Sequence, residues 1–496
     1  MSNVEDIYKL APLQSGMLFH VLYDTTDANH YVAQSVDEFS GPLDVERLRG
    51  AWQAVVDRHS ALRSAFVWEG LDEPVQVVQR RVELPFEVLD WRSWVSGEQE
   101  SRLAELLEED RVRGFDLGSA PLMRLTVVRF EDERAMVLWT FHHLLIDGWS
   151  NQLLQKEVFT LYRDGLAGTG SRLDTAVPYV RYLQWLGEQS RERAEEFWRG
   201  RLGDFAEPTQ IALGPSTGES GFGDVELKLD SDTAARIGEF ARAHRLTVNT
   251  VVQGAWALLL SRYSGSDDVV YGSTVSGRPA DLPHAESIVG LFINTLPVRA
   301  RVAAERPVVE WLRELQQEHV ELREYEYTSL VDAQGWSAVP KGERLFDSIL
   351  VFENYPHLTG DEDLPDGLDV RHQTGVARTG YPLTVAVSHT KERLLAEITY
   401  DRGVFERSVM ERLAGHFGVL LSALVADPAA CVGELEMLSG AELAELAAEW
   451  EAAAVGVADG ATLHGLFEER VRECPGAVAV VFGDRSLTYG ELNARA

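Results

Sequence analysis

The stretch WTFHHLLIDGWS, residues 139–150, contains two adjacent histidines, His142 and His143, followed by Asp147 and Gly148. The segments LMRLTVVRF and RAMVLWTFHH, which lead up to the pair, predict two strands joined by the polar turn EDE. The segment WSNQLLQKEVFTLYRDG predicts a helix that ends at Gly165. The histidines therefore lie where a strand runs into a loop, and such loops commonly present reactive groups on a rigid scaffold.

The two histidines are predicted to diverge, because successive side chains of a strand point to opposite faces. A shared metal ion needs converging imidazoles, and Asp147 is the one further candidate ligand close by in sequence. The spacing therefore argues against a metal site. Two interpretations stay open. The pair is either a packed strand end with Asp147 capping the next helix, or it supplies a neutral imidazole as a general base.

Composition narrows the class of protein. The 496 residues predict two or three folding units, and 45% hydrophobic with 25% charged residues is typical of globular chains. The net charge of −33 argues against nucleic acid as a partner. The two cysteines, Cys431 and Cys474, predict neither a disulfide framework nor a metal site. We find no signal-peptide pattern or membrane-spanning run, and we therefore expect a cytoplasmic protein.

The order of predicted elements is similar in the two halves of the chain. Asp44 is predicted to cap a helix whose apolar face includes Leu48 and Trp52. In the second half, the strand VELKLD precedes a helix over 231–244 and a further helix capped by Thr247. Residues 441–461 are rich in Ala and Glu and predict a linker that is helical at first and then loose, after which 462–496 begins a new pattern.

Several motifs, in their order along the chain, resemble those of condensation domains from nonribosomal peptide synthetases. The histidine stretch resembles the H-H-x-x-x-D-G signature of that family. The other matching segments are YKLAPLQSGMLFH (8–20), RHSALRSAF (58–66), YVRYLQW (179–185), VSGRPADL, IVGLFINTLPVR (288–299), VFENYP (351–356), GYPLTVAV (380–387) and TYDRGVF (399–405). One departure is Gly380, where the family more often has histidine. The segment LTYGELN (487–493) resembles the first motif of an adenylation domain.

This resemblance implies a fold and a division of the chain. It implies an α/β (α+β) fold of two chloramphenicol-acetyltransferase-like lobes, arranged in a V around a central tunnel. The expected parts are an N-terminal lobe (1–175), a C-terminal lobe (176–440), the linker (441–461) and the start of an adenylation domain (462–496). The implied reaction is peptide-bond formation, in which the amine of an aminoacyl-carrier acceptor attacks the thioester of a peptidyl- or aminoacyl-carrier donor.

The resemblance also assigns roles to residues. It implies His143 and Gly148 as the catalytic groups, with His143 accepting a proton from the acceptor amine or positioning it. It implies His142 and Asp147 as supporting residues. Asp147 is expected to pair with Arg278, with Arg63 as the alternative partner. Candidates for lining the substrate tunnel are Gln14, His20, Trp149, Asn294 and Tyr381. We expect no metal and no bound cofactor, since phosphopantetheine arrives on carrier proteins.

The partners implied are two carrier proteins, since no Gly-Gly-x-Ser attachment motif occurs in the chain. The position of Met1 just before the first motif favours a donor carrier that docks from another polypeptide. The adenylation-like tail favours an acceptor carrier further downstream. We expect a monomer without nucleic acid or membrane partners. The alternatives left open are an epimerisation domain, a catalytically silent recruitment platform and an acyltransferase that uses coenzyme A thioesters.

Overall fold

The structure is a computed structural model that describes residues 3–23, 31–167, 173–211, 218–353, 367–373, 379–390, 393–453, 462–482 and 485–496. The chain divides into two compact units, Met1–Met437 and Leu438–Ala496, and each is described by itself. The sequence motif at 351–356 lies outside the described residues from 354 onward, and so does the part of the predicted linker from 454 to 461.

The secondary structure alternates between strands and helices along the first unit. The strands are β1 (Val4–Lys9), β2 (Val32–Ser40), β3 (Ser64–Val67), β4 (Val75–Gln79), β5 (Phe86–Asp90), β6 (Met123–Glu131), β7 (Arg134–His142), β8 (Phe222–Leu229), β9 (Asp268–Val275), β10 (Asn294–Arg301), β11 (Ser348–Glu353), β12 (Asp369–Gln373), β13 (Leu383–His389) and β14 (Leu394–Asp401). The helices are α1 (Pro12–Tyr23), α2 (Val45–Arg58), α3 (Ser96–Arg113), α4 (Gly148–Ala167), α5 (Val180–Gly187), α6 (Arg191–Leu202), α7 (Ser231–His244), α8 (Val248–Ser264), α9 (Val308–Leu322), α10 (Leu330–Gly335) and α11 (Arg407–Ala426).

The first sheet contains the strand that ends at the histidine pair. Its order is β12-β2-β7-β6-β5, and β7 lies between β2 and β6 with antiparallel pairing on both sides. The predicted hairpin of β6 and β7 is confirmed. A smaller sheet has the order β1-β4-β3. Because β7 has a partner along each edge, its last residues have a fixed backbone position.

Helix α2 packs its predicted apolar face into the core beside the first sheet. Leu48, Trp52, Val55 and Val56 are buried, and the Asp44 side chain accepts a hydrogen bond from the Arg47 N–H, which confirms the predicted N-cap. The ring of Trp52 lies 4.6 Å from that of Trp139 on β7. The prediction that α4 ends at Gly165 is wrong by two residues, since helical backbone there runs to Ala167.

The second large sheet is formed by the later part of the first unit. Its order is β10-β9-β11-β13-β14-β8, in which β11 runs parallel to β9 and β13 and the other neighbours pair antiparallel. The predicted helix over 231–244 is confirmed as α7, and the Thr247 side chain caps α8 by accepting from the Thr250 N–H. Helices α8 and α11 bury most of their apolar residues in the core of this region.

Two further features concern α11 and β12. By length and composition, α11 is apolar enough to cross a membrane, but Leu413, Phe417 and Leu420 of this helix are fully buried in the protein core. A core helix passes the same length and composition test. Strand β12 follows β11 in the chain yet pairs antiparallel with β2, at the edge of the first sheet. The later part of the unit therefore contributes a strand to the sheet that carries the histidine pair.

The second unit contains α12 (Gly440–Ala453), α13 (Leu463–Glu473), the hairpin of β15 (Val478–Phe482) and β16 (Arg485–Thr488), and α14 (Tyr489–Arg495). The first part of the predicted linker is therefore the regular helix α12. Its run of Ala, Glu and Leu residues has high helix propensity, and the Ser439 and Glu442 side chains bond reciprocally at its start. Taken together, the predicted mixed α/β fold is confirmed.

Candidate active site

His143 is the first residue after β7, and hydrogen bonds fix its backbone and its ring. Its N–H donates to the Tyr31 carbonyl oxygen at 2.9 Å, which continues the pairing of β7 with β2 by one residue. The ring Nδ1 lies 3.3 Å from the carbonyl oxygen of Ile146. Since a carbonyl oxygen only accepts, Nδ1 carries the proton, and Nε2 has the lone pair that remains for a substrate.

The surroundings of His143 favour a neutral ring. The side chain is half-buried at the wall of a large cavity, and burial lowers the pKa of its imidazole from the usual value. The Ile146 carbonyl and the Asp147 carboxylate oppose that shift, but the burial effect is larger. A neutral imidazole at pH 7 can accept a proton or a hydrogen bond at Nε2.

His142 faces away from that cavity and is buried. Its Nδ1 accepts a hydrogen bond from the Leu144 N–H at 3.1 Å, so the ring fixes the turn that follows the strand. Burial, with a smaller contribution from His143, lowers the pKa of His142 to about 3. The two rings therefore occupy different environments. His142 stays neutral inside the protein, whereas His143 borders open space.

Asp147 is fully buried and lies at the N-terminus of α4. Its Oδ1 accepts from the Ser150 N–H at 2.8 Å, as an N-cap residue does, and its Oδ2 accepts from the Phe292 N–H at 3.0 Å. The Arg278 guanidinium donates to Oδ1 at 3.3 Å. Each carboxylate oxygen thus has protein donors, and none of these bonds orients the His143 ring. Asp147 therefore holds the loop that carries His143.

Arg278 joins that loop to the segment around residues 285–292. One terminal nitrogen of its guanidinium donates to the carbonyl oxygens of Ala285 and Ile288, and the other donates to Asp147 and to the Ser150 hydroxyl, the latter at 2.9 Å. Its guanidinium carbon lies 4.1 Å from the ring centroid of Phe292. Arg63, the alternative partner of Asp147, instead pairs with Glu5 at 2.6 Å. The structure therefore pairs Asp147 with Arg278.

Ser150 has a structural role that was not predicted from the sequence. Its hydroxyl donates to the Gly290 carbonyl at 2.7 Å and accepts from the Gly290 N–H at 3.1 Å as well as from Arg278. A hydroxyl has one proton and two lone pairs, so all its hydrogen-bonding capacity is used. The position of Ser150, three residues after Asp147, was a signal for this role, because it lies one turn into the helix that Asp147 caps.

The cavity beside His143 has a volume of about 1960 Å³, and both large sheets contribute to its wall. From the first part of the unit it is lined by α1, β2, His143 and Gly148. From the later part it is lined by β11, β13, β14 and the segment around Asn294. Gly148 begins α4, so the positive end of that helix dipole lies at the cavity wall. This volume exceeds the 300–1,000 Å³ typical of small-ligand pockets.

The predicted tunnel residues separate into two groups. His20, Asn294 and Tyr381 line the cavity. Gln14 is buried elsewhere and donates to the Leu144 carbonyl at 2.8 Å, which supports the loop after the histidines. The Trp149 indole donates to the Glu286 carbonyl at 2.9 Å, and Trp149 is not among the described residues that line the cavity. Gln14 and Trp149 thus contact the neighbours of the site rather than its open space.

The described part of the chain holds no group of three or more His, Cys, Asp or Glu side chains arranged to bind a metal ion. At the part of the cavity wall next to the end of β7, the polar groups are the His143 imidazole and the start of α4, and Asp147 is already occupied by protein donors. This arrangement can accept a proton from a nucleophile and stabilise a developing negative charge, which is the chemistry of acyl transfer.

A family profile described as "Condensation domain" matches residues 4–447. One of the linear gramicidin synthase proteins of Brevibacillus parabrevis is 44% identical across 100% of this chain, which spans 6% of that protein. Bacitracin synthase 3 from Bacillus licheniformis is 32% identical across 100% of this chain, which spans 8% of that protein. The chain therefore corresponds to a small part of these relatives.

Solved structures show the same fold. The first condensation domain of the calcium-dependent antibiotic synthetase, in complex with a substrate analogue, superposes with a TM-score of 0.73 at 20% identity. That match covers 88% of this chain and 100% of that one. The X-domain from teicoplanin biosynthesis also reaches a TM-score of 0.73 at 20% identity, covering 88% of this chain and 99% of that one. At such identities the likeness concerns the fold alone.

Proposed function

The chain belongs to the condensation domain family of nonribosomal peptide synthetases, and on that premise we propose that it forms a peptide bond between two carrier-bound substrates. Condensation domains of these synthetases are amide-forming transferases that work with carrier proteins at a donor and an acceptor site. The proposed donor is a peptidyl or aminoacyl thioester, and the proposed acceptor is an aminoacyl thioester with a free amine. One observation carries the proposal, namely the neutral His143 ring at the wall of the cavity.

The proposed reaction uses the lone pair of His143 Nε2. The acceptor amine attacks the thioester carbonyl carbon of the donor, and its excess proton passes to Nε2 or is held there by a hydrogen bond. The carbonyl oxygen becomes negatively charged, and the backbone N–H at Gly148 lies at the positive end of α4, which favours that charge. When the intermediate collapses, the C–S bond breaks and the departing thiolate takes up the proton. The products are an amide and a free thiol.

The other polar residues near His143 are proposed to position it. Asp147, Arg278 and Ser150 link the loop after β7 to the segment around Gly290, and all their bonds are internal to the protein. His142 fixes the turn between β7 and that loop. Because a small displacement of a catalytic group costs rate steeply, this support has a direct effect on activity.

We propose the following arrangement of partners, which the size of the cavity supports. The cavity is larger than an amino acid requires, which fits two substrates on long flexible arms. We propose that the donor carrier docks in trans, that the acceptor carrier lies downstream, and that the chain acts as a cytoplasmic monomer. The proposed boundaries of the two lobes are 1–175 and 176–440, and 462–496 is the proposed start of an adenylation domain.

Reconstitution with loaded carriers tests the proposal. A donor peptidyl carrier and an aminoacyl acceptor carrier are mixed with the protein, and the carrier-bound products are measured by mass spectrometry. We expect the acceptor carrier to gain the mass of the donor peptide.

A second reaction in D₂O with the donor carrier alone distinguishes condensation from epimerisation, which would incorporate deuterium at the donor Cα. Deuterium uptake without peptide extension would replace this proposal with the epimerisation alternative. If neither the extended peptide nor the deuterated donor forms, the silent-platform alternative is favoured.

A further inference from the structure

Tyr31 adopts an unusual backbone conformation directly before β2. Its φ is 68°, in the left-handed region that residues other than glycine, asparagine and aspartate rarely adopt. Aromatic residues are strained there, so neighbouring contacts must hold the conformation in place. The residue is nearly fully buried, yet its surface borders the same cavity as His143.

Tyr31 is held by a hydrogen bond at its backbone and by another at its side chain. Its carbonyl oxygen accepts from the backbone N–H of His143 at 2.9 Å. Its hydroxyl lies 2.7 Å from Nδ1 of His20 on α1, and the two rings stack at a centroid distance of 6.2 Å. The hydroxyl bond therefore fixes the ring of Tyr31, and the carbonyl of the same residue fixes the backbone of His143.

Gly380 leaves the space that this pair occupies. A Cβ atom at position 380 would lie 2.8 Å from His20 Nδ1 and 3.0 Å from the Tyr31 hydroxyl oxygen. Real Cβ atoms essentially never show the first of these distances, and the second is tighter than most of their contacts, so a side chain there would displace the His20 ring from the Tyr31 hydroxyl. The hydrogen bond between His20 and Tyr31 thus depends on the absence of a side chain at residue 380.

We propose that Tyr31, held by His20 in the space left by Gly380, is a positioning residue for His143. The Tyr31 carbonyl fixes the backbone position at the end of β7, while the Ile146 carbonyl fixes the orientation of the His143 ring. Losing the hydroxyl bond removes a contact that holds the strained backbone, and the Tyr31 carbonyl then moves with the backbone of His143. This role rests on the proposed function of His143 in peptide-bond formation.

Tyr31→Phe tests the role, because it removes the hydroxyl and keeps the ring. In the two-carrier assay we expect kcat to fall about tenfold with little change in KM, as a misplaced catalytic group predicts. The imidazole NMR signals of His143, assigned in histidine-labelled protein by substitution, should shift. Gly380→Ala should have the same effects, and the double variant should lose much less than the product of the two single losses.

The matched control is Tyr263→Phe. Tyr263 also bonds a histidine Nδ1 at 2.7 Å, that of His416, and neither residue lines the cavity. We expect a similar change in melting temperature but wild-type kcat and unchanged His143 signals. An equal loss of kcat in Tyr31→Phe and Tyr263→Phe, or unshifted His143 signals in Tyr31→Phe, would overturn the role. If the wild type forms no peptide, the proposed function fails, and the NMR comparison alone decides the inference.

Discussion

Replacing Arg278 by alanine perturbs the contact between the loop that carries His143 and the segment around Gly290. The arginine side chain is 4% exposed and Asp147 is fully buried, so water does not replace the lost guanidinium easily. Removing one partner of a buried ion pair costs about 3–5 kcal/mol, because the other charge is left behind without compensation.

The structure places the ion-pair part of the loss in Arg278→Ala near the lower end of that range, at about 3 kcal/mol. Asp147 keeps two backbone N–H donors, at 2.8 and 3.0 Å, and its bond to Arg278 is the longest of the three at 3.3 Å. Loss of the guanidinium from the face of Phe292 adds about 1 kcal/mol. We therefore expect a loss of about 4 kcal/mol in the free energy of unfolding. Arg278→Lys keeps the charge but cannot reach four acceptors, and we expect about half that loss.

Urea unfolding followed by tryptophan fluorescence measures this loss, and Arg301→Ala is the matched control. Arg301 pairs with Asp204 at 3.4 Å, a distance close to that of the Arg278 pair, but its side chain is 69% exposed. An exposed pair contributes about 0–1 kcal/mol. If Arg278→Ala and Arg301→Ala lose the same stability, the bonds around Asp147 do not hold the loop as described.

Three predictions concern pH. Burial raises the pKa of Glu326, whose side chain accepts from the Gly277 N–H, to about 7. The pKa of Glu326 is higher in the folded than in the unfolded protein. Its carboxyl group therefore contributes stability that is fully present below pH 4.5 and is lost as pH rises through 7. In urea titrations, the free energy of unfolding should fall by up to about 3 kcal/mol over this pH range, and Glu326→Gln should abolish the fall. Burial lowers the pKa of His142 to about 3. The neutral ring therefore contributes stability to the folded protein above pH 6.5, and this stability is lost as pH falls towards 3. The urea concentration at the midpoint of unfolding should be lower at pH 5 than at pH 7. Protonation of the His142 ring above pH 5, followed by NMR, would contradict this prediction. Because burial lowers the pKa of His143, the acid limb of the condensation rate should lie below pH 6.5. A limb above pH 7 would show that a different group controls the rate.

The hairpin of β6 and β7 could be predicted because local signals agree there. Alternating apolar residues flank a polar turn, and the histidine pair follows at the strand end. The divergence of His142 and His143 followed from strand geometry alone, and the two rings do occupy different environments. The caps at Asp44 and Thr247 were predictable for the same reason, since each depends on residues within one helical turn.

Contacts between distant segments could not be read from the sequence. Both Arg278 and Arg63 were possible partners of Asp147, because a salt bridge depends on which loops meet in space. The pairing of β12 with β2 joins strands about 330 residues apart, and nothing local in either strand specifies the other. The contact between Tyr31 and His20 is similar, since its clearest sign is a missing side chain at Gly380.

The most direct test of the central claim is the single-turnover rate of peptide formation by His143→Ala. The protein is mixed in excess with a loaded donor carrier and a loaded acceptor carrier, and the extended peptide is measured by mass spectrometry over time. General acid–base catalysis and positioning by such a group contribute about 10²–10⁴-fold to the rate, so we expect the rate to fall by at least about 100-fold while the fold is retained. Peptide formation by His143→Ala at the wild-type rate would contradict it.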